Sequence, residues 1–143
     1  SIPYMQKNGG GSIINISSTY GILSPDQSLY EHFNKKLTTK QKKMGIVIEK
    51  PIGYSISKSG ILNLTRFIAT KFAQDNIRVN TLTLGGVYDE NPSQFVKAYS
   101  KKTPLNRMAR KQEYIGPLLF LASNMSSYMT GSNLIVDGGW SAW

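Results

Sequence analysis

Apolar positions fall into short blocks along this chain, and the spacing within each block predicts its element. Ile13, Ile14 and Ile16, bounded by glycine before and Ser17-Ser18 after, predict a buried strand over Gly11–Ser18. Ile61, Leu62, Leu64, Thr65, Ile68, Ala69 and Phe72 recur at helical spacing. They predict a long amphipathic helix that Pro51 and Gly53 introduce and Asp75-Asn76 ends. Gly60 within it would let a neighbouring element approach closely. Ile77 to Leu84 alternates as a second strand, and Gly85-Gly86 follows at once. Ser93–Lys102 fits a short helix carrying Phe95, Val96 and Tyr99, and Thr103-Pro104 breaks it. Gln112–Ser123 reads as a third helix, in which Pro117 implies a kink or a late start. Gly131–Gly139 is a last strand with its turn, and Trp140 and Trp143 are expected in buried packing.

Two regions read less simply. Ser1–Asn8 resembles the tail of a helix stopped by Asn8-Gly9-Gly10-Gly11, with its start expected upstream. From Ile22 to about Ile52 the pattern fails. Pro25-Asp26 mark a turn, Glu31 to Met44 is either a basic helix or a mobile loop, and Gly45–Ile48 is a short extended piece. Tyr30 and His32 either face a substrate pocket or, as lone residues more often do, pack or lie at the surface. Strands separated by helical segments point to right-handed crossovers and a parallel sheet, an α/β fold.

Composition narrows the chemistry. A chain of 143 residues with 40% hydrophobic content is one ordinary domain with a core. The absence of cysteine excludes disulfides and thiolate metal sites, and a single histidine, His32, leaves no imidazole cluster for a metal. No apolar run approaches the ~20 residues needed to span a bilayer, and no charged-then-apolar leader opens the chain. A cytoplasmic protein without membrane contact is therefore expected. The net charge of +9 points to an anionic ligand such as a phosphate-bearing cofactor, or to nucleic acid. Six lysines (35, 36, 40, 42, 43 and 50) crowd into one segment, so most of the excess reads as a solvated surface loop and nucleic acid is disfavoured.

Tyr54 and Lys58 lie four residues apart at the head of the long helix, on one face. A phenol titrates near ~10, too high for efficient acid–base work near neutrality. One cation at ~4 Å in an effective dielectric of ~20 supplies about 4 kcal/mol, enough to lower a phenol by ~3 units. Ser17 and Ser18 end the first strand and Gly85-Gly86 the second, where ligands collect in open parallel sheets.

Taken in order, these motifs resemble the C-terminal half of a short-chain dehydrogenase/reductase. The resemblance rests on Ile14-Asn15-Ile16-Ser17-Ser18 with Tyr20-Gly21, on Tyr54-x-x-x-Lys58, and on Arg78-Val79-Asn80. Arg107-Met108-Ala109, and Thr130-Gly131 with Val136-Asp137-Gly138-Gly139, complete it. It covers Gly11 to Gly139 apart from the Ile22–Ile52 stretch. It implies a Rossmann-like sheet lacking its N-terminal dinucleotide-binding strands: one partial domain over 1–143 with an insertion at about 22–52. It also implies hydride transfer between NAD or NADP and a small carbonyl or hydroxyl substrate. Ser18 would hold the substrate oxygen, Tyr54 would exchange the proton, and Lys58 would assist it and bind the nicotinamide ribose. Gly85, Gly86 and Val87 would line the nicotinamide, and the protein would be a homo-oligomer.

The departures are specific. The glycine-rich turn and the residue choosing NAD or NADP are absent, as is the family's upstream asparagine. Leu84 replaces the usual proline, and Asp89 stands where a threonine often meets the pyrophosphate and would repel it. The long Ser18-to-Tyr54 interval and the Gly86-Val87-Tyr88-Asp89 turn resemble a subgroup linked to flagellin modification and nonulosonate sugars, implying a sugar or sugar-nucleotide substrate. With the adenosine cradle missing and the first strand left as an edge, the chain alone is expected to bind NAD(H) poorly and to self-associate. A non-catalytic remnant or oligomerisation module of such an enzyme is the alternative.

Overall fold

Strand β1 (Gly11–Ser18) pairs in parallel with β2 (Ile77–Leu84), which pairs in parallel with β3 (Asn133–Val136), giving the order β1-β2-β3. The computed structural model describes residues 1–143. The register sets Ser18 opposite Leu84, and Leu84 opposite Val136, so all three strands finish at one edge. Around the sheet lie α1 (Ile2–Lys7), α2 (Glu31–Lys35), α3 (Thr39–Lys43), α4 (Ile52–Lys71), α5 (Ser93–Lys102) and α6 (Ile115–Ala122). The expected α/β layering is therefore present, with β1 at one edge and β2 central.

The central position explains why β2 departs from simple alternation. Residues 79–83 are all buried, although three of them are polar. Each polar side chain has a partner. Thr81 donates to Thr65 of α4 at 2.7 Å, Thr83 donates to Asn133 at 2.5 Å, and Asn80 donates to the Met129 carbonyl at 2.7 Å. Burial without such bonds would cost on the order of 1–3 kcal/mol per group. Arg78 gives the neighbouring motif its purpose. Its guanidinium donates to the Leu121 and Ser123 carbonyls at 3.2 and 3.0 Å, closing the carbonyl end of α6.

Helix α4 lays Thr65 and Ala69 fully buried against the sheet, with Ile61, Leu62, Ile68 and Phe72 partly buried. Leu64 does not join them and is 49% exposed. Nothing lies within 4 Å of where a Gly60 side chain would start, so the expected close approach at Gly60 is absent. It occurs at Gly21 instead. The third helix begins late, as Pro117 implied. A 3-10 turn over Lys111–Tyr114 precedes α6, and Pro117 sits in the first turn of α6, where its missing N–H has no partner to lose. Trp140 is buried at 8% exposure, but Trp143, expected in buried packing, is 83% exposed.

Glu31 to Met44 does not form one continuous basic helix. It forms two short helices, α2 and α3, the latter opened by a capping box between Thr38 and Gln41. Gly45–Ile48 makes no strand. Its continuation is held by side-chain amides in place of a neighbouring strand. Asn34 bonds both the N–H and the carbonyl of Ile48 at 2.7 and 2.8 Å. Gln27 does the same for Lys50 at 2.9 and 3.0 Å. Ile48 and Lys50 therefore each have both backbone groups paired by one side-chain amide.

Arg107 grips Glu113 through two bonds of 2.6 Å, and the Arg110 N–H adds a third at 2.7 Å. The Arg107 hydrogen bonds, then that of the Arg110 N–H, pull the Glu113 carboxyl down to about 2. A carboxylate lowered in the fold adds stability above its unfolded value, near ~4.3, and that stability disappears as pH falls toward 2. Replacing Arg107 with methionine should therefore flatten the acid limb of a stability–pH curve between about pH 4.5 and 2. An unchanged limb in urea denaturation series would contradict this.

Candidate active site

The carboxyl ends of β1 and β2 open into a cleft of about 300 Å³. All six residues expected to matter, Ser18, Tyr54, Lys58, Gly85, Gly86 and Val87, line it. Tyr54 enters from the first turn of α4, whose start is set by Pro51. Lys58 follows one turn later, its ammonium 5.9 Å from the Tyr54 ring centre. Ser18 leaves β1 in an extended conformation, and its hydroxyl oxygen accepts a long 3.3 Å bond from the Tyr20 N–H, which keeps its own proton available. Ser17, the neighbour, is committed elsewhere. It is buried and donates to the Lys58 carbonyl at 2.8 Å.

Lys58 is thereby held twice by β1, since its ammonium donates to the Ile16 carbonyl at 3.0 Å. The turn after β1 closes the same joint. Ser59 donates to the Gly21 carbonyl at 2.8 Å. A Cβ on Gly21 would sit 2.6 Å from the Ser17 hydroxyl and 2.7 Å from the Lys58 carbonyl. No side chain fits between the turn and the helix.

The floor of the cleft is aromatic. Tyr20, Leu29, Tyr99, Met108 and Trp140 form one buried cluster, with Tyr54, Tyr30 and Phe95 packed on it. Trp140 stacks on Tyr99 at 4.3 Å, seated by a turn in which Asp137 accepts from the Gly139 and Ser141 N–H groups. Tyr99 lies over Gly86, where a Cβ would meet its ring at 2.4 Å, and its hydroxyl oxygen accepts from the Gly86 N–H at 2.6 Å. At Gly85 a Cβ would lie 2.7 Å from Asp137. The two glycines thus pack against the protein itself. Val87 differs, because Tyr88 and Gly86 make the bonds to Ala109, and the Val87 N–H and carbonyl have no partner. Burial pushes the Tyr99 phenol up to about 12, and raises those of Tyr20 and Tyr30, so these three stay neutral at physiological pH.

Tyr30 takes both places weighed for it, packing on the aromatic cluster and lining the cleft. Lys50, grouped with the surface lysines, lines it too and places its ammonium 4.4 Å from the Tyr54 ring centre. That placement escaped the sequence reading, because Lys50 precedes Pro51 and the helix and stands among the other lysines of the segment. Asp89 is not an isolated negative charge, since Lys111 pairs with it at 2.6 Å. No group of three or more metal-ligating side chains is assembled, and no helix is long and apolar enough to cross a membrane.

Gly21→Ala should cost about 1–3 kcal/mol by forcing the turn away from α4. The expected result is a lowered urea midpoint, and a change below about 0.5 kcal/mol would contradict the tight joint.

Residues 36–141 match a family described as enoyl-(acyl carrier protein) reductase. Post-translational flagellin modification protein A of Campylobacter coli is 34% identical over 97% of this chain and 49% of its own length. D-arabinitol 2-dehydrogenase (ribulose-forming) of Scheffersomyces stipitis is 34% identical over 99% of this chain and 46% of its own. A short chain dehydrogenase from Leptospira borgpetersenii, solved with bound NAD+, superposes with a TM-score of 0.82 at 32% identity, over 97% of this chain and 48% of that one. The chain spans about half the length of the curated relatives it matches. Motifs in the family's order, its sheet, and a match running from residue 36 to residue 141 agree: the chain belongs to the short-chain dehydrogenase/reductase family.

Proposed function

We propose that this chain carries the proton-transfer site of an oxidoreductase that moves a hydride between NAD or NADP and a carbonyl or hydroxyl carbon. The observation that carries this reading is the meeting of Ser18, Tyr54 and Lys58 in one cleft at the carboxyl edge of the sheet. In the oxidative direction the substrate hydroxyl gives its proton to the Tyr54 oxygen while Ser18 donates a hydrogen bond to the same substrate oxygen. The reverse direction returns that proton to the forming alcohol. The ammonium groups of Lys58 and Lys50 face the ring on which negative charge develops. The nicotinamide, when bound, supplies or accepts the hydride. Its fit is supported by Val87, whose N–H and carbonyl are unpaired beside the cleft and match a carboxamide. Lys58 retains ammonium protons beyond its bond to Ile16, which supports its offering one to a ribose hydroxyl.

A sugar or sugar-nucleotide substrate fits the names of two relatives, one acting on D-arabinitol and one serving flagellin modification. Residues 1–143 then form one partial Rossmann-like domain with an insertion at about 22–52. The outer face of α4 exposes Ile56, Leu64 and Phe67 at helical spacing, which supports a homo-oligomer. The same stripe favours the second reading, an oligomerisation module without turnover.

Tyr54→Phe removes the transferable proton and leaves the ring. It should lower turnover, followed as NADH absorbance in the protein at its native length, by about 10²–10⁴-fold. Turnover unchanged by this substitution would refute the proton-transfer role, and no turnover by the unsubstituted protein would favour the oligomerisation module.

A further inference from the structure

Lys50 stands where no surface lysine would. Its backbone is fixed by the two-bond clamp from Gln27, at 2.9 and 3.0 Å. Its half-buried side chain runs into the cleft, and its ammonium lies over the Tyr54 ring. That ammonium, unlike those on the solvated surface, stands inside the cleft with no carboxylate partner and no hydrogen bond to the chain. The cleft lining contains two lysines and no aspartate or glutamate. A cleft wall carrying two positive charges and no negative one favours an anion, and the face of one phenol does not compensate two ammonium groups.

We propose that Lys50 forms an anion subsite beside Tyr54, and that the substrate carries a carboxylate or a phosphate ester there. This deepens the oxidoreductase reading and rests on it. Lys50 binds the anionic end while Ser18 and Tyr54 hold the reacting oxygen. Gln27 is a positioning residue that acts only through Lys50. The insertion is thus the part of the chain that selects the substrate, through one lysine whose approach is set by a glutamine 23 residues earlier.

The test is equilibrium binding by calorimetry with the protein at its native length. Three probes share a pentose skeleton: D-arabinonate carries a carboxylate, D-arabinose 5-phosphate a phosphate ester, and D-arabinitol no charge. At least one anion should bind about tenfold or more tighter than arabinitol. Which one does so distinguishes carboxylate from phosphate. Lys50→Met should collapse that preference to within about twofold, Lys50→Arg should retain most of it, and Gln27→Leu should weaken it. Because the readout is a ratio within each variant, partial misfolding does not mimic the result. Equal affinity for all three probes, or a preference that survives Lys50→Met, would overturn the proposal. Binding needs no hydride transfer, so a Tyr54→Phe protein that loses turnover but keeps the anion preference supports the subsite. A protein that turns over without any such preference upholds the oxidoreductase reading and rejects the subsite.

Discussion

Strand β1 and helix α4 are joined beside the cleft at Lys58 and Ser59, as they are further along by the bond from Asn15 to Thr65. The Lys58 carbonyl accepts from Ser17, the Lys58 ammonium donates to the Ile16 carbonyl, and the next residue, Ser59, holds the Gly21 carbonyl. The strand end, the turn and the helix therefore cannot shift independently. Ser18 hangs from the strand and Tyr54 from the helix, so the distance between them is fixed by this joint. Each bond contributes only about 1 kcal/mol, but Gly21 allows all of them to form at once, since any larger residue would intrude on both the Ser17 hydroxyl and the Lys58 carbonyl. The proposed proton-transfer site, with a proton donor and a hydrogen-bond donor on one substrate oxygen, would need such positioning more than it needs stability.

The opposite wall is built on the same plan from different material. Asp137 shapes the turn that seats Trp140, Trp140 stacks on Tyr99, and Tyr99 covers Gly86 and occupies its N–H. The glycines after β2 are thus required by internal packing, and the free backbone groups pass to Val87. Closing motifs far apart in the chain serve one purpose. Gly138, at φ 67°, and Gly139, at φ 90°, bring the turn against Thr103 and Pro104, which follow the helix bearing Tyr99.

The strands, α4 and α5 were legible because short apolar blocks bounded by glycine, serine and proline mark them, and the spacing of Tyr54 and Lys58 put both at the cleft. Local pattern could not show that β2 is buried on both faces, since Asn80, Thr81 and Thr83 look like solvent positions until their partners are known. Nor could it show that Gly21, not Gly60, is the point of contact. The 22–52 stretch defeated pattern altogether, because two side-chain amides there take the place of a neighbouring strand. That substitution leaves no periodic trace, and it hid Lys50 among lysines that do face solvent.

The central claim is that this cleft, with Val87 at its rim, receives a nicotinamide beside Tyr54. The most direct measurement is the amide nitrogen–proton spectrum of the protein at its native length as NAD+ is added. The Val87 N–H, unpaired in the chain, should shift strongly and gain protection from exchange. The Gly86 N–H, already bonded to Tyr99, should move little. A Val87 signal that stays in place at saturating NAD+ would contradict the account.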